Sequence, residues 1–357
     1  MAGSITAKDV ALRAEVSVGT VSRVFNNHSN VSEEIRQRVL KVAADLGYFR
    51  AGGRLAAARP DNRGLKEVGF LYSSSIEETP ATMNPYWAPI FYGVESESRK
   101  ANIKVTYRTI TDILHTPHLL ITTIYEMRPG GILLVGQVDA DAIGAIQATG
   151  TPIVQVDNYV SDLAQPVDTI LPDNFQGARI AINFLFAEGH RRIAFIGGPS
   201  AEGPRPLYKI YSIEQRWVSY CMAYLDRGLA IPYELVENGS LSLESGYEAG
   251  KRLLERRRDF SAIFCADDLT AIGAMKALRE AGLRVPEDIS LIGFDGIDLG
   301  KHIIPALTTI RVNTEDLGAI ALRTLAARAA HPGMPYVTTL LGAELVKRDS
   351  VAAPKTR

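Results

Sequence analysis

Five apolar runs in this chain end on a polar or acidic residue: EVGFLYSSS, GGILLVGQ, PIVQVDN, SAIFCADD and SLIGFDG. A carboxylate, amide or hydroxyl at the end of a buried run is suited to holding a ligand by hydrogen bonds, since burial makes an unmet polar group costly. The candidates are Ser73, Ser74 and Ser75, then Gln137, Asp157 with Asn158, Asp268 and Asp295. Asn84, Tyr86 and Trp87 in NPYW stand just before a helical stretch, where an aromatic either stacks on a ring or fills the core. Asp268 has a second use as the cap of the helix DLTAIGAMKALREAG, and Asp295 can equally serve the fold.

Covalent chemistry is poorly served. No nucleophile and base stand at a convincing spacing. HTPH at His115 to His118 lacks nearby acids and carries a proline between its imidazoles, which suits a solvated loop better than a metal site. IGGPS is a glycine-rich turn without GxGxxG or a following Lys-Ser/Thr, so no nucleotide cofactor is expected. Cys221 and Cys265 sit in apolar settings with no CxxC, as packing residues of a reducing compartment do. The expectation is no catalytic residue, no metal and no cofactor.

A different chemistry is written near the start, in SVGTVSRVFNNHSNVSEE. AKDVALRA places Val10, Ala11 and Ala14 on one helical face. Ser17 is placed as an N-cap, and VGTVSRVF then buries Val21, Val24 and Phe25 while Val18, Gly19, Ser22 and Arg23 face outward. Ser32 caps a third helix with a stripe of Ile35, Val39, Val42 and Leu46, ended by Gly47. Three short helices with a tight turn between the first two form a helix-turn-helix unit, and Arg23 is placed to reach the O6 and N7 acceptors of guanine. The first 66 residues hold eleven Lys and Arg against six acids, in a chain whose formal net charge is −1. That local excess fits double-stranded DNA as a partner, although a solvated basic face would also produce it.

The polar run-ends need a scaffold, and the rest of the chain supplies one. From residue 67 onward, short apolar runs alternate with amphipathic helical stretches, the pattern of parallel sheets covered by helices on both faces. About ten such strands exceed one compact sheet. Two units are expected, split near residue 172, with a cleft between them and about three crossovers. LTTIRV is expected to return to the first unit and TTLLGAELVKR to the second. Ligands of such sheets sit at the carboxyl ends of the strands, where the candidate residues lie.

The stretch KDVALRAEVSVGTVSRVFNNHSNVSEEIRQRVLKVAADLGY, with RVPEDISLIGFDG and PALTTIRVNTEDLGAIA farther on, resembles the lactose-repressor/galactose-repressor family of bacterial transcriptional regulators over essentially the whole chain. The resemblance implies an α/β fold: an N-terminal three-helix headpiece plus a two-subdomain core like type I periplasmic binding proteins. It divides the chain into a headpiece at 1–48, a linker at 49–66 and a core at 67–350, with subdomain one at about 67–172 and 305–331 and subdomain two at about 173–304 and 332–350. It also implies base reading by Val18 and Gly19, with Arg23 as the later reader, and phosphate contacts by Thr6, Ser17, Thr20, Ser22 and Asn26. Leu55 in RLAAAR is the implied minor-groove wedge of a hinge helix, although Gly52 and Gly53 stand where helix-starting residues are usual. In the core it adds Asp173 and Arg216 to the effector-binding set of Ser74, Tyr86, Trp87, Gln137, Asp157, Asp268 and Asp295.

The function implied is an effector-responsive regulator, most simply a repressor, bound as a homodimer to a pseudo-palindromic operator. Leu241 stands where purine-binding relatives carry an aromatic, so a sugar-like effector is expected ahead of a nucleoside. A solute-binding protein would share the core, but would carry a secretory leader in place of the headpiece. MAGSITAKDV has no such layout, no run approaches the length of a membrane span, and a cytoplasmic protein is expected. SVAAPKTR after the last strand holds no heptad run, which fits a dimer.

Overall fold

A computed structural model describes residues 6–25, 28, 30–46, 48, 65–74, 81–197 and 210–355. The headpiece consists of α1 (Ala7–Arg13), α2 (Val18–Phe25) and α3 (Glu33–Asp45). Val10, Ala11, Ala14, Val21, Val24, Phe25, Val39, Leu40 and Ala43 form its core, all of them buried. Glu15 takes a left-handed conformation (φ 54°) and turns the chain from α1 into α2. Ile35, Val42 and Leu46, expected on the same stripe, are partly buried against this cluster. Gly47, Asn26, Ser75, residues 198–200 of the IGGPS turn and the whole stretch 49–64, with Leu55, lie outside the described residues.

The alternation predicted from residue 67 is present. It runs β1 (Glu67–Ser73), α4 (Trp87–Lys100), β2 (Lys104–Thr109), α5 (Pro117–Met127), β3 (Gly131–Gly136), α6 (Ala140–Gln147), β4 (Ile153–Val156) and β5 (Asp168–Pro172). It continues with α7 (Asn174–Ala187), β6 (Ile193–Ile196), α8 (Tyr211–Leu225), β7 (Val236–Glu237), α9 (Leu243–Arg256), β8 (Ala262–Cys265), α10 (Asp268–Glu280) and β9 (Ser290–Asp295). The chain closes with α11 (Leu299–His302), β10 (Thr308–Val312), α12 (Thr314–Ala330), β11 (Thr338–Leu341) and β12 (Ala343–Val346).

Two six-stranded sheets result, ordered β11-β5-β4-β3-β1-β2 and β12-β10-β9-β8-β6-β7. The strands β1, β3, β4, β6, β8 and β9 are buried along almost their whole length, as parallel strands covered on both faces must be. The chain divides into two units: 1–75, 92–170 and 318–338 form the first, and 76–91, 171–317 and 339–357 the second.

One strand differs from expectation. LTTIRV does not return to the first unit: β10 pairs parallel with β9 and antiparallel with β12, all in the second sheet. The return is made by α12, after which β11 joins the first sheet beside β5. Sheet membership is a long-range property that an apolar run of five residues does not encode.

The return segment is fixed by an ion pair that the sequence did not reveal. The Arg328 guanidinium on α12 donates to both oxygens of Asp168 at the start of β5 (2.7 and 2.9 Å), and both side chains are buried. Asp168 also accepts from the backbone of Val337 at 2.9 Å, so the end of α12, β5 and the approach to β11 share one carboxylate.

Candidate functional site

Local chemistry presents the outer face of α2. Ser17 Oγ accepts from the Thr20 amide at 3.0 Å and meets the Thr20 hydroxyl at 2.9 Å, so both polar side chains serve the helix start. Thr6 likewise starts α1: its amide and hydroxyl both donate to Asp9 at 2.7 Å. Val18, Gly19 and Arg23 are exposed, while Thr20 and Ser22 are half-buried. Arg23 donates from Nε to the Gly19 carbonyl at 3.2 Å, which lays its side chain along the same face as Gly19. The small residues at the start of α2 leave that face open, the form a helix needs in order to enter a major groove.

In the first unit, Ser74, Gln137 and Asp157 follow β1, β3 and β4 at their carboxyl ends. The Ser74 amide donates to Thr111 Oγ1 (3.2 Å), and the Gln137 amide to the Ser73 carbonyl (3.0 Å), which ties the ends of β3 and β1 together. Asp157 adopts a left-handed backbone (φ 56°), which turns the chain sharply out of β4.

The second unit holds a dense polar cluster. Arg216 on α8 has a side chain only 3 % exposed. Its Nε and Nη2 donate to Asn174 Oδ1 (3.0 and 2.8 Å), Nη2 also to Asp295 Oδ1 (3.1 Å), and Nη1 to the Ala266 carbonyl. The guanidinium lies 3.7 Å from the centre of the Phe294 ring. One cation thus gathers the start of α7 and the ends of β8 and β9. Asp295 ends β9 with φ 101°, a left-handed backbone that non-glycine residues avoid, and such strain collects where a side chain must be aimed. Burial raises the Asp295 carboxyl above its usual range, and the Arg216 charge opposes that shift.

Asp268 is fully buried, but it does not cap α10 as its position suggested. The cap is Asp267, whose Oδ1 accepts from the Thr270 amide at 2.7 Å. Asp268, one residue inside the helix, accepts from the Ile297 amide (2.8 Å) and the Thr309 hydroxyl (2.5 Å), joining α10 to β10 and the turn after β9. A Cβ at Gly293 would stand 2.2 Å from Asp268 Oδ1, so this approach requires glycine in LIGFDG. Burial first, then the Asp295 charge, raises both Asp267 (to about 7) and Asp268.

The aromatic candidates lie at the start of α4. Asn84 Oδ1 accepts from the Tyr86 and Trp87 amides (2.9 and 3.1 Å) and starts α4, and the two rings meet edge to face at 4.9 Å. Residues 76–91 group with the second unit. Asp173 caps α7 through the Gln176 amide at 3.0 Å. Arg216, Asp268 and Asp295 therefore belong to one buried set, whereas Ser74, Gln137 and Asp157 sit on three strand ends of the first unit. Asn174, which the resemblance pairs with Asp173 at the entry to the second unit, and Asp267 complete the set, and of these only Asp267 escaped the sequence reading. The adjacent acids in ADD were the one hint of Asp267.

Among the described residues no group of three or more His, Cys, Asp or Glu is arranged to hold a metal ion, and no helix is long and apolar enough to cross a membrane. Two stretches of the chain match known families. Residues 6–50 match the model for bacterial regulatory proteins of the lacI family, and residues 182–351 the periplasmic binding protein-like domain. The chain is 30 % identical to the HTH-type transcriptional repressor CytR of Escherichia coli, over 98 % of this chain and 96 % of that protein. It is 32 % identical to the ribose operon repressor of Haemophilus influenzae, over 98 % and 99 %. Similar solved structures include a transcriptional regulator CelR–cellobiose complex (27 % identity, TM-score 0.73, covering 97 % of this chain and 99 % of that one). A Lac repressor dimer bound to operator and an anti-inducer is also similar (27 % identity, TM-score 0.69, covering 98 % and 100 %). With relatives at this identity along almost its full length, the chain belongs to the lacI family of bacterial regulatory proteins.

Proposed function

We infer that the protein is a ligand-responsive transcriptional repressor of the cytoplasm. As a homodimer it binds a pseudo-palindromic operator through α2, and it responds to a small sugar-like effector. The observation that carries this reading is the pairing of an open recognition helix with a separate buried cluster, Arg216–Asn174–Asp295, at strand ends. A non-catalytic role is consistent with that cluster, whose polar groups are spent on holding one another and not on activating a nucleophile. Val18, Gly19 and Arg23 are assigned to base edges, and Thr6, Ser17, Thr20, Ser22 and Asn26 to the phosphates or their orientation. Leu55 is assigned to the minor groove.

Arg216 and Asp295 are assigned to the polar edge of the effector and Trp87 to its ring face, with Ser74, Tyr86, Gln137 and Asp157 completing the contacts. Asp173 and Asp268, each held by the fold, are assigned to setting the geometry of this region. Two relatives support a sugar: one is named for the ribose operon, and one solved structure is a complex with cellobiose. The test is a thermal-shift screen of mono- and disaccharides beside nucleosides, followed by release from a duplex selected out of a random library. A ligand at ~100-fold over its Kd adds ~2.7 kcal/mol, an easily measured shift. Stabilisation and release by a nucleoside alone would replace the sugar assignment, and failure to select any duplex would overturn the repressor reading.

A further inference from the structure

The helix α5, PHLLITTIYEM, buries six consecutive residues, Leu120 to Tyr125. Six positions exceed one helical turn of about 3.6 residues, so a helix covered on one side only cannot bury them all. Two different cores supply the cover. Leu120 and Ile124 pack with Leu71, Ile132 and Leu134 of the first sheet. Ile121 and Tyr125, together with Ala145 of α6, belong instead to the cluster that forms the headpiece core. Thr122 Oγ1 donates to Gln37 Oε1 of α3 at 3.4 Å. Burial pushes the Tyr125 hydroxyl well above its ordinary range, while the positive charge of Arg36 works against that shift, which places α3 beside α5 a second time.

We propose that the outer face of α5, with Ala145 of α6, is a cradle that holds the headpiece on its own core in the DNA-free protein, with the recognition helix turned outward. The cradle meets the headpiece on its α3 side, and Val18, Gly19 and Arg23 on α2 stay exposed. Operator binding therefore starts from a headpiece already held with its reading face open, and part of the ordering cost is met before DNA arrives. Without the headpiece, Ile121 and Tyr125 would leave an apolar patch facing water, which gives the cradle its driving force. The proposal rests on α2 being the DNA-reading element.

The test uses the full chain. Gln37→Cys and Thr122→Cys are introduced together in a Cys221→Ser background and treated, without DNA, with a short bis-maleimide. A crosslinked species of monomer mass is expected, and it should bind a duplex selected by the parent protein within about threefold of the uncrosslinked affinity, because the reading face is free. Ile121→Gln with Tyr125→Gln should weaken binding to the same duplex about tenfold by releasing the headpiece. The proposal is overturned if the crosslink does not form, if it forms only between protomers at twice the mass, or if the crosslinked protein loses DNA binding. Unchanged affinity in a folded Ile121→Gln/Tyr125→Gln protein also overturns it. Should that variant fail to fold, the crosslink and its effect on binding decide the matter. If α2 does not read DNA at all, the parent selects no duplex, which separates failure of that premise from failure of the cradle.

Discussion

Replacing Asp295 separates the two uses a buried carboxylate can have. If it served the ligand alone, Asp295→Ala would leave the empty protein unchanged. The structure argues otherwise, because Arg216, 3 % exposed, spends Nη2 on Asp295 Oδ1 at 3.1 Å. Removing one partner of a buried pair strands the other's charge, a loss of ~3–5 kcal/mol. Two terms offset part of it: Asp295 bears its own burial cost, and its charge pushes Asp267 and Asp268 upward. The lower end, ~3 kcal/mol, is expected, and for a unit of this size it lowers Tm by ~6–12 °C. Alanine also meets the φ of 101° with no polar side chain to compensate.

Asp295→Asn keeps an oxygen for Arg216 and tolerates a left-handed backbone better than alanine. It should melt within ~3 °C of the parent, yet lose ligand-dependent release from the selected duplex. The assay is thermal unfolding without ligand, paired with release by the sugar that shifts the parent. An Asp295→Ala protein as stable as the parent would refute the ion-pair energetics. A stable Asp295→Asn protein that still answers the ligand would make Asp295 a structural residue, and the effector assignment would move off the Arg216 cluster.

Arg23→Ala should cost ~1–3 kcal/mol of operator binding and relax preference at one symmetric base pair; unchanged preference in selection from a random library would place the reader elsewhere. Arg328→Met removes a bidentate partner from the buried Asp168, so urea unfolding should show a loss of ~3–5 kcal/mol, and a loss below ~1 kcal/mol would show that this pair does not fix the return segment. Asp267 holds its proton up to about 7 in the folded chain, against ~3.9 when unfolded. Its contribution is therefore full below ~4 and is lost as pH rises through about 7. Melting followed over that window should show a negative slope that Asp267→Asn flattens, and an identical slope in the variant would contradict the assignment. His190 has the opposite sign: burial lowers it, and the Ala352 carbonyl, which accepts from the ring, opposes that shift, so its contribution is present above ~6.5 and is lost in acid, where protonation takes from the ring the nitrogen lone pair that faces the Ser261 hydroxyl; His190→Gln should flatten that acid arm.

What the sequence made legible was whatever depends on periodicity and near neighbours. The headpiece helices, the Ser17 cap and the buried positions Val10, Val21 and Val24 follow from spacing alone, since each residue's environment is set within a turn or two. Alternation likewise revealed parallel sheets, because strands covered on both faces are apolar throughout. The misses are of another physical kind. β10 carries no mark of which sheet it joins, since its partners β9 and β12 are chosen by what the rest of the chain has already filled. Asp267 and Asp268 are adjacent acids of similar propensity, and a one-residue shift at a helix start exchanges a cap for a buried tie to Thr309. Arg216 was placed by resemblance, but its partner Asn174 stands 42 positions away, and their bond becomes apparent only in three dimensions. The α5 helix shows the same limit from the side of burial: LLITTIY reads as an apolar stretch fit for any core, and nothing in its order says that alternate faces answer to two cores. Each of these residues meets its partner across the fold, so the same tertiary contacts that hid them from the sequence are the ones that can join a ligand cluster, a sheet and a headpiece.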